Sequence, residues 1–598
     1  MRRAIYTSQL GLLEGIKTKL QKQSRLLLMG KLISFSLFAY LGWMFLTSGY
    51  LLSYGLPCLI VFVVYVLVMV WDSKLQKQIN FLENKGKCLN EEIMYLDGDF
   101  SAFDNGGEFL DPEHPFSYDL DVFGDHSFFH RINRTISGVG KEQLAQNLSE
   151  LDMTREQILE RSAALQELAN KEAFRQNFAA YGRDVSFDLK RLLNDQLVNS
   201  KKSKLTNMLS KVILLLTSGV TIVSFLLAIF DVIPASIPGF LFAFQILISI
   251  LYAKSFTDIE HEIGNLFKGF KSYRNIFELI DKEQFKSKEL SELKEQLFQD
   301  KDINVLSSFG RLANILSNLD QRANLVIFIF TNGLYMRDLW LIRSYYKWKS
   351  YSVEHLKMWV EALGKIDALI SMATYAYNHP ECNYAEISEG LDPVFEADEC
   401  YHPFLAKEVA VPNSFNLRER DFAIVTGANM AGKSTFLRSL GLNVILALNG
   451  IPICANSLKI SVVKLFSSMR TSDNLVKNMS YFNAELTRLG NLITYCKSNK
   501  HTLIILDEIL KGTNSKDKLN GSRLFLSEIS KLPVTGIIAT HDLGLSELSE
   551  QNKQFVNYCF EIELADEINY TYKMTQGVAR NMNATHLLEQ IISKISSK

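Results

Sequence analysis

Nine consecutive residues carry the most specific chemistry in this chain. Gly427, Gly432, Lys433 and Ser434 stand at the spacing G-x-x-x-x-G-K-S, with Asn429 and Met430 inside the run and Thr435 after it. A glycine-rich loop that opens onto a helix points backbone N–H groups at one spot, and that spot suits phosphate oxygens. Within such a loop Lys433 would neutralise the β and γ phosphates, and the Ser434 hydroxyl would ligate Mg2+. Two more runs add to it. Leu503-Ile-Ile-Leu-Asp507-Glu508 ends an apolar stretch in two acids, placing Asp507 to hold the metal and Glu508 to orient an attacking water. Ala539-Thr540-His541-Asp542 ends another, with His541 placed to sense a γ-phosphate. Lys433, Glu508 and His541 are thus the candidate catalytic set, and the implied ligands are ATP and Mg2+.

These residues need a rigid frame. Residues 422–426, 502–506 and 536–540 are short, uncharged, apolar runs of the kind that form central parallel strands. The first leads into the glycine loop and the loop into a helical run at 436–448, which is the setting the motif requires. Strands alternating with helices predict an α/β P-loop domain with a parallel sheet over residues 396–598.

Upstream the character is different. The chain has 598 residues, 47% of them hydrophobic, and 64 basic residues against 65 acidic ones. Its mean hydropathy of +0.03 is concentrated in two tracts. Residues 32–71 contain no charge, and residues 212–253 contain only Asp231. Broken near 53–55 and 231–238, they give four segments close to the ~20 residues that cross a bilayer. They predict two transmembrane helical hairpins, at 32–75 and 212–254. Lys and Arg gather outside both hairpins, including Arg2, Arg3, Lys17, Lys31, Lys74, Lys201 and Lys254, and are absent from the connecting turns. The positive-inside rule then places both termini and the middle of the chain in the cytoplasm of a cell (inner) membrane protein. Residues 1–31 form a basic cytoplasmic segment, and residues 76–211 and 255–395 read as helical. Thr154 is a candidate helix cap, and Leu144, Leu148, Ile158, Leu165 and Leu168 fall at helical spacing. The apolar run 325–335 is too short for a fifth crossing and is expected to be a buried helix. Seven scattered cysteines with no C-x-x-C pair argue against a zinc site or a disulfide framework and suit a reducing compartment.

The glycine loop, with Asn429-Met430 ahead of Gly432-Lys433, resembles that of the MutS mismatch-repair ATPases. Asp507-Glu508-Ile-Leu-Lys-Gly512-Thr513-Asn514-Ser515 is similar to that family's D-E-I-G-R-G-T-S-T. Ser472-Asp473-Asn474-Leu475 and Ser480-Tyr481-Phe482-Asn483-Ala484-Glu485 are similar to its S-D-D-L and S-T-F-x-x-E. His402-Pro403 and Val411-Pro412-Asn413 stand where the family has related residues. A weaker likeness reaches Ile132–Gly140, Glu160-Arg161 and residues 366–377, which look like parts of the MutS core and lever. The resemblance implies an ABC-type ATPase that dimerises through its ATPase domains, with Ser480 of one subunit completing the other's ATP site. It also implies an all-α core and lever, the region in which the second of the two hairpins read from hydropathy is set.

The departures bear on function. Residues 1–75 hold a hairpin where the family's mismatch-reading domain would stand, and 255–348 shows no recognisable DNA clamp. Leu510-Lys511 replaces Gly-Arg after the acids, and Tyr401 and Phe404 are the candidates for stacking on adenine. The reading these features support is a membrane-anchored MutS-like ATPase, binding double-stranded or branched DNA in repair or recombination. The alternative is an ABC-type membrane machine driven by ATP, and the absence of an L-S-G-G-Q run argues against ordinary transport. An inactive scaffold is disfavoured because Lys433, Asp507, Glu508 and His541 are all present.

Overall fold

A computed structural model of the chain describes residues 2–185, 206–252, 259, 266–299, 304–320, 322, 325–470, 481–564 and 568–580. It begins with two long helices, α1 (Arg2–Thr47) and α2 (Leu52–Leu96), of 46 and 45 residues, each about 70 Å long. The connection at 48–51 lies a few residues before the break expected near 53–55. The helices run antiparallel along their whole length. Arg3 pairs with Asp97, Lys17 with Glu83 and Lys31 with Asp72, and near the tip Gly42 lies against Cys58. The positions at 31/32 and 75/76 fall inside continuous helices. There the surface changes from polar to apolar, with Leu32, Ile33, Trp43, Leu59, Leu67 and Trp71 exposed. The polar base is tied to the body, where the Tyr6 hydroxyl donates to Asn378 at 2.8 Å and Gln9 donates to Glu172 at 2.7 Å.

An irregular segment with one short 3-10 turn at Gly107–Phe109 leads to α3 (Phe128–Ile132), α4 (Gly138–Ser149), α5 (Arg155–Asn170) and α6 (Glu172–Gly182). Thr154 caps α5 in a reciprocal capping box with Gln157. Leu144, Leu148, Ile158, Leu165 and Leu168 are all buried. Next come α7 (Met208–Ile229), α8 (Ser236–Leu251), α9 (Leu266–Lys282), α10 (Lys288–Phe298), α11 (Val305–Asp320), α12 (Leu325–Tyr335) and the 42-residue α13 (Arg337–Asn378). Helix α13 packs on α4, α5, α10 and α11 and forms the spine of the core. The segments that resembled the lever meet here. Asp367 of α13 accepts hydrogen bonds from the Ile136 and Ser137 amides and from the Ser137 hydroxyl. Burial pushes its carboxyl up to about 7 against those bonds.

The expectation of a buried helix at 325–335 does not hold. Leu325, Val326 and Phe330 of α12 are 69%, 63% and 58% exposed. The helix packs on α7 and α8 along one side only, with Gly333 set against the Phe242 ring. Length alone suggested burial, but α12 ends at Met336 in a left-handed conformation, φ 53°, and turns into α13 through 83°. By length and composition, α1, α2 and α7 could each span a membrane, and the bent pair α12–α13 would add a fourth. Helix α8, at 16 residues, is shorter than a simple span needs.

The C-terminal part holds two sheets. Strands β1 (Glu386–Ile387), β2 (Phe395–Cys400), β3 (Asn413–Leu417) and β5 (Ser457–Ile460) form a mixed sheet in the order β1-β5-β2-β3. Strands β4 (Phe422–Gly427), β6 (Lys464–Ser468), β7 (Thr502–Asp507), β8 (Val534–Thr540), β9 (Phe555–Leu564) and β10 (Ile568–Gln576) form the other, ordered β10-β9-β4-β8-β7-β6. All its pairings are parallel except β10 on β9. Helices α14 (Lys433–Leu448), α15 (Tyr481–Ser498), α16 (Ser515–Ile529) and the short α17 (Leu548–Gln551) connect the strands. Every residue of β4 and β8 is buried, which is why these strands read as unbroken apolar runs.

Candidate functional site

Strands β4, β8 and β7 are neighbours, with Thr426 level with Thr540 and Asp507 level with Ala539. Their carboxyl ends therefore deliver Gly427, His541 and Asp507-Glu508 to one edge of the sheet, where ligands of open α/β sheets bind. The loop from Gly427 to Gly432 closes over this edge and feeds α14, whose first turn carries Lys433 and the exposed Ser434 and Thr435.

Both glycines are required by geometry. Gly427 has φ 154° and an added Cβ would meet the Phe560 carbonyl at 2.9 Å; Gly432 has φ 105° and a Cβ would meet Tyr572 at 3.1 Å. Between them Met430 takes φ 64° and is 76% exposed, and Asn429 is exposed beside it. The Lys433 ammonium folds back and donates to the Gly427 and Ala428 carbonyls at 2.7 and 2.8 Å. Its nitrogen also lies 3.2 Å from His541 Nδ1. His541 Nδ1 is also 2.9 Å from the Gly427 carbonyl, so this nitrogen lies between a carbonyl that can only accept and an ammonium that can only donate. Burial lowers Lys433 to about 8 against the attraction of Asp507 and Glu508. Burial lowers His541 too, with the Lys433 charge adding to it, so the imidazole is neutral near pH 7.

Glu508 has φ 56°, a strained position for a non-glycine residue, and its amide donates to the Ala539 carbonyl at 2.9 Å. Its carboxylate accepts from Lys518 of α16 at 2.9 Å. Burial raises its pKa, but Lys518, His541 and Lys511 outweigh that and hold it below the usual carboxylate range. Lys518 gave no signal in the sequence, because only the fold of the 508–518 segment brings it back to Glu508. Leu510 also has a left-handed backbone, φ 59°, and Gly521 leaves room for its side chain. That conformation favours glycine, the residue of the resembled motif at this place. Glu485 is buried and accepts from the Lys511 amide at 3.1 Å, which joins the Tyr481–Glu485 run to the loop after the acids. Ser480 and residues 472–475 lie outside the described residues.

Next to the loop is a cavity of about 310 Å3 lined by Tyr401, Leu405, Val411, Thr435, Phe560 and Tyr572, among others. Of the two expected stacking residues, Tyr401 is buried in its wall, while Phe404 does not line it and instead sits under the Arg131 guanidinium at 4.5 Å. The aromatic ring available at the rim is Tyr572, which is 44% exposed. Asn413 holds it there, donating to the Tyr572 carbonyl at 3.0 Å and accepting from the Met574 amide at 2.7 Å. Tyr572 comes from β10, about 140 residues after the loop, and no local pattern marks it.

Comparison with known proteins bears on this half of the chain. Residues 423–591 match the family model MutS domain V. The C-terminal part of the chain is MutS-like. It is 33% identical over 241 residues to the DNA mismatch repair protein MutS of Acetivibrio thermocellus, covering 38% of this chain and 27% of that protein. The MutS of Aquifex pyrophilus is 33% identical over 224 residues, covering 36% and 26%. The MutS protein homolog him-14 of Caenorhabditis elegans is 29% identical over 228 residues, covering 37% and 26%. The chain thus spans about a quarter of the length of these MutS proteins, and the likeness lies in the part that carries the site.

Proposed function

We propose that this chain is a membrane-anchored MutS-like ATPase that couples ATP hydrolysis to DNA binding in repair or recombination. The observation that carries the reading is the meeting of Lys433, Asp507, Glu508 and His541 beside a loop whose two glycines leave a cradle no side chain could enter. The residues fit ATP. A triphosphate would take over the Lys433 ammonium from the Gly427 and Ala428 carbonyls, and the adjoining cavity would take the base against Tyr572. Ser434 and Asp507 would hold Mg2+, which supplies charge neutralisation across the phosphates. Glu508 orients the water, the neutral His541 would donate an Nε2–H to the γ-phosphate, and Lys433 offsets the charge that develops there. A homodimer through the ATPase domains, with Ser480 reaching across, belongs to the same proposal.

A specific observation favours a second reading, a membrane machine without DNA. Helix α13 runs without a break from the exposed apolar helix α12 to Asn378, next to the C-terminal sheets. The two readings separate on ATP turnover of the detergent-solubilised chain, with and without duplex, mismatched and branched DNA at stated salt. A change of turnover with one DNA form, lost in Lys433→Ala, supports the DNA-coupled ATPase. Turnover indifferent to every DNA supports the membrane machine, and no turnover under any condition refutes both.

A further inference from the structure

Helix α13 ends at Asn378, and the four residues after it bring three metal-binding side chains together. The ligating atoms of His379, Glu381 and Cys382 all lie within 4.8 Å of one another. His379 Nδ1 is 2.9 Å from Glu381 Oε1. A fourth donor arrives from far along the chain, since Cys454 Sγ is 3.4 Å from Cys382 Sγ. We propose that His379, Glu381, Cys382 and Cys454 form a closed zinc site that fastens the end of α13 to the ATPase domain.

The chemistry of the donors supports zinc. Two sulfurs, one imidazole nitrogen and one carboxylate oxygen make a four-coordinate set of the type structural zinc takes, with ligand edges of about 3.3–3.8 Å. The Cys382–Cys454 separation is close to such an edge, the His379, Glu381 and Cys382 atoms need to close by about an ångström, and Cys454, which reaches them through Cys382, would have to swing toward the imidazole and the carboxylate. His379 is already oriented for the role. Its Nε2 lies 2.7 Å from the Tyr95 hydroxyl, a contact that would hold the ring with Nδ1 toward the other donors once a metal displaces the proton that Nδ1 shares with Glu381. A further observation is independent of the cluster. The Tyr375 hydroxyl is buried and has no hydrogen-bond partner among the described residues, and its ring lies against the His379 ring with centroids 4.4 Å apart. Binding would release the two thiol protons and leave the site a net charge of −1. A disulfide between Cys382 and Cys454 would leave the imidazole and the carboxylate unexplained. Spacing along the sequence hides such a site because its fourth ligand comes 72 residues after the third.

The location gives the site its consequence. Cys454 follows α14, the helix that begins at the glycine loop, and its amide is held by Asn443 Oδ1 at 2.7 Å. Zinc here would therefore link the far end of the nucleotide-loop helix to the helix that spans the core.

The test is metal content of the full-length chain in detergent, purified under reductant and equilibrated with Zn2+ alone. The expected result is close to one zinc per chain. Zinc affinity, from competition with a chromophoric chelator, should fall at least about ten-fold in both Cys382→Ser and His379→Ala. His379 is on the outer side of the cluster, so its variant tests the idea even if a change at buried Cys454 disturbs folding. Co2+ in place of zinc should give a thiolate charge-transfer band that both variants lose, and Cys496→Ser, a change distant in sequence, should leave zinc content unchanged. Wild-type protein without zinc, full zinc retention in His379→Ala, or a Cys382–Cys454 disulfide in the reductant-purified chain would each overturn the proposal.

Discussion

The central strands of the C-terminal sheet and the tip of the α1–α2 hairpin are both built from long apolar runs, yet they place those residues in opposite ways. In β4 and β8 every side chain is buried, whereas in the 46 residues of α1 only Tyr6 and Ser34 are. Composition alone cannot separate the two. Length and neighbours do: six- or seven-residue runs bounded by Gly, Asp or His end at a ligand edge, while 20-residue runs bounded by Lys and Arg show their surface outward. The sheet keeps apolar residues from water in order to aim a few polar ones. The hairpin, on the proposed reading, gives them to lipid and keeps its ion pairs for the base.

The largest effect is expected in the sheet. Glu508→Gln should lower ATP turnover by about 10²–10⁴-fold, the range for a lost general base, while ATP binding stays within a few-fold. Turnover near the wild-type rate would move the water-orienting role away from Glu508. At the other pole, Leu59→Lys with Val63→Lys puts two charges on exposed positions of α2, each costing about 2.5–3.5 kcal/mol in a bilayer centre. The doubly substituted chain should leave the alkali-resistant membrane fraction while still binding ATP. If the wild-type chain is itself found outside that fraction, the hairpin is not an anchor.

Lys433 tests the sheet at its most sensitive group. Burial brings its amine to about 8, so below that pH it carries the charge that attracts a triphosphate, and above it the charge is lost. One pH unit above, about a tenth of the amines remain charged, so the Kd for ATP should rise about ten-fold between pH 7 and 9. Lys433→Arg, which stays charged throughout, should bind with a flat pH profile. A flat profile in the wild-type chain would show that the amine is not titrating there.

How much of this was legible beforehand follows the same divide between local and distant. The glycine loop, the strands ending at Gly427, Asp507 and Thr540, the Thr154 cap and the buried Leu144–Leu168 spacing are written in short stretches of sequence. Local period and turn chemistry specify them. The Lys518–Glu508 pair, the Cys382–Cys454 approach and the exposed face of α12 depend on which segments the fold brings together. Phe404 shows the same limit from the other side. It stands near His402-Pro403 as a stacking candidate should, but Arg131, from α3, occupies its face.

Tyr572 is the smallest expected effect and the sharpest test of the site's second half. Its ring is exposed at the rim of the cavity and is held through its own backbone by Asn413, so truncation should leave the loop, Lys433 and the acids in place. A stacked aromatic contributes about 0.5–1.5 kcal/mol beyond its buried area, which converts to a two- to twelve-fold change in affinity. Tyr572→Ala should therefore raise the Kd for ATP by that factor and leave the Kd for inorganic triphosphate unchanged, because the phosphates bind at the loop. Tyr572→Phe keeps the ring and should behave as wild type. Equal losses for ATP and triphosphate would mean that the ring supports the loop through its contact with Gly432, and that the base is held elsewhere in the cavity.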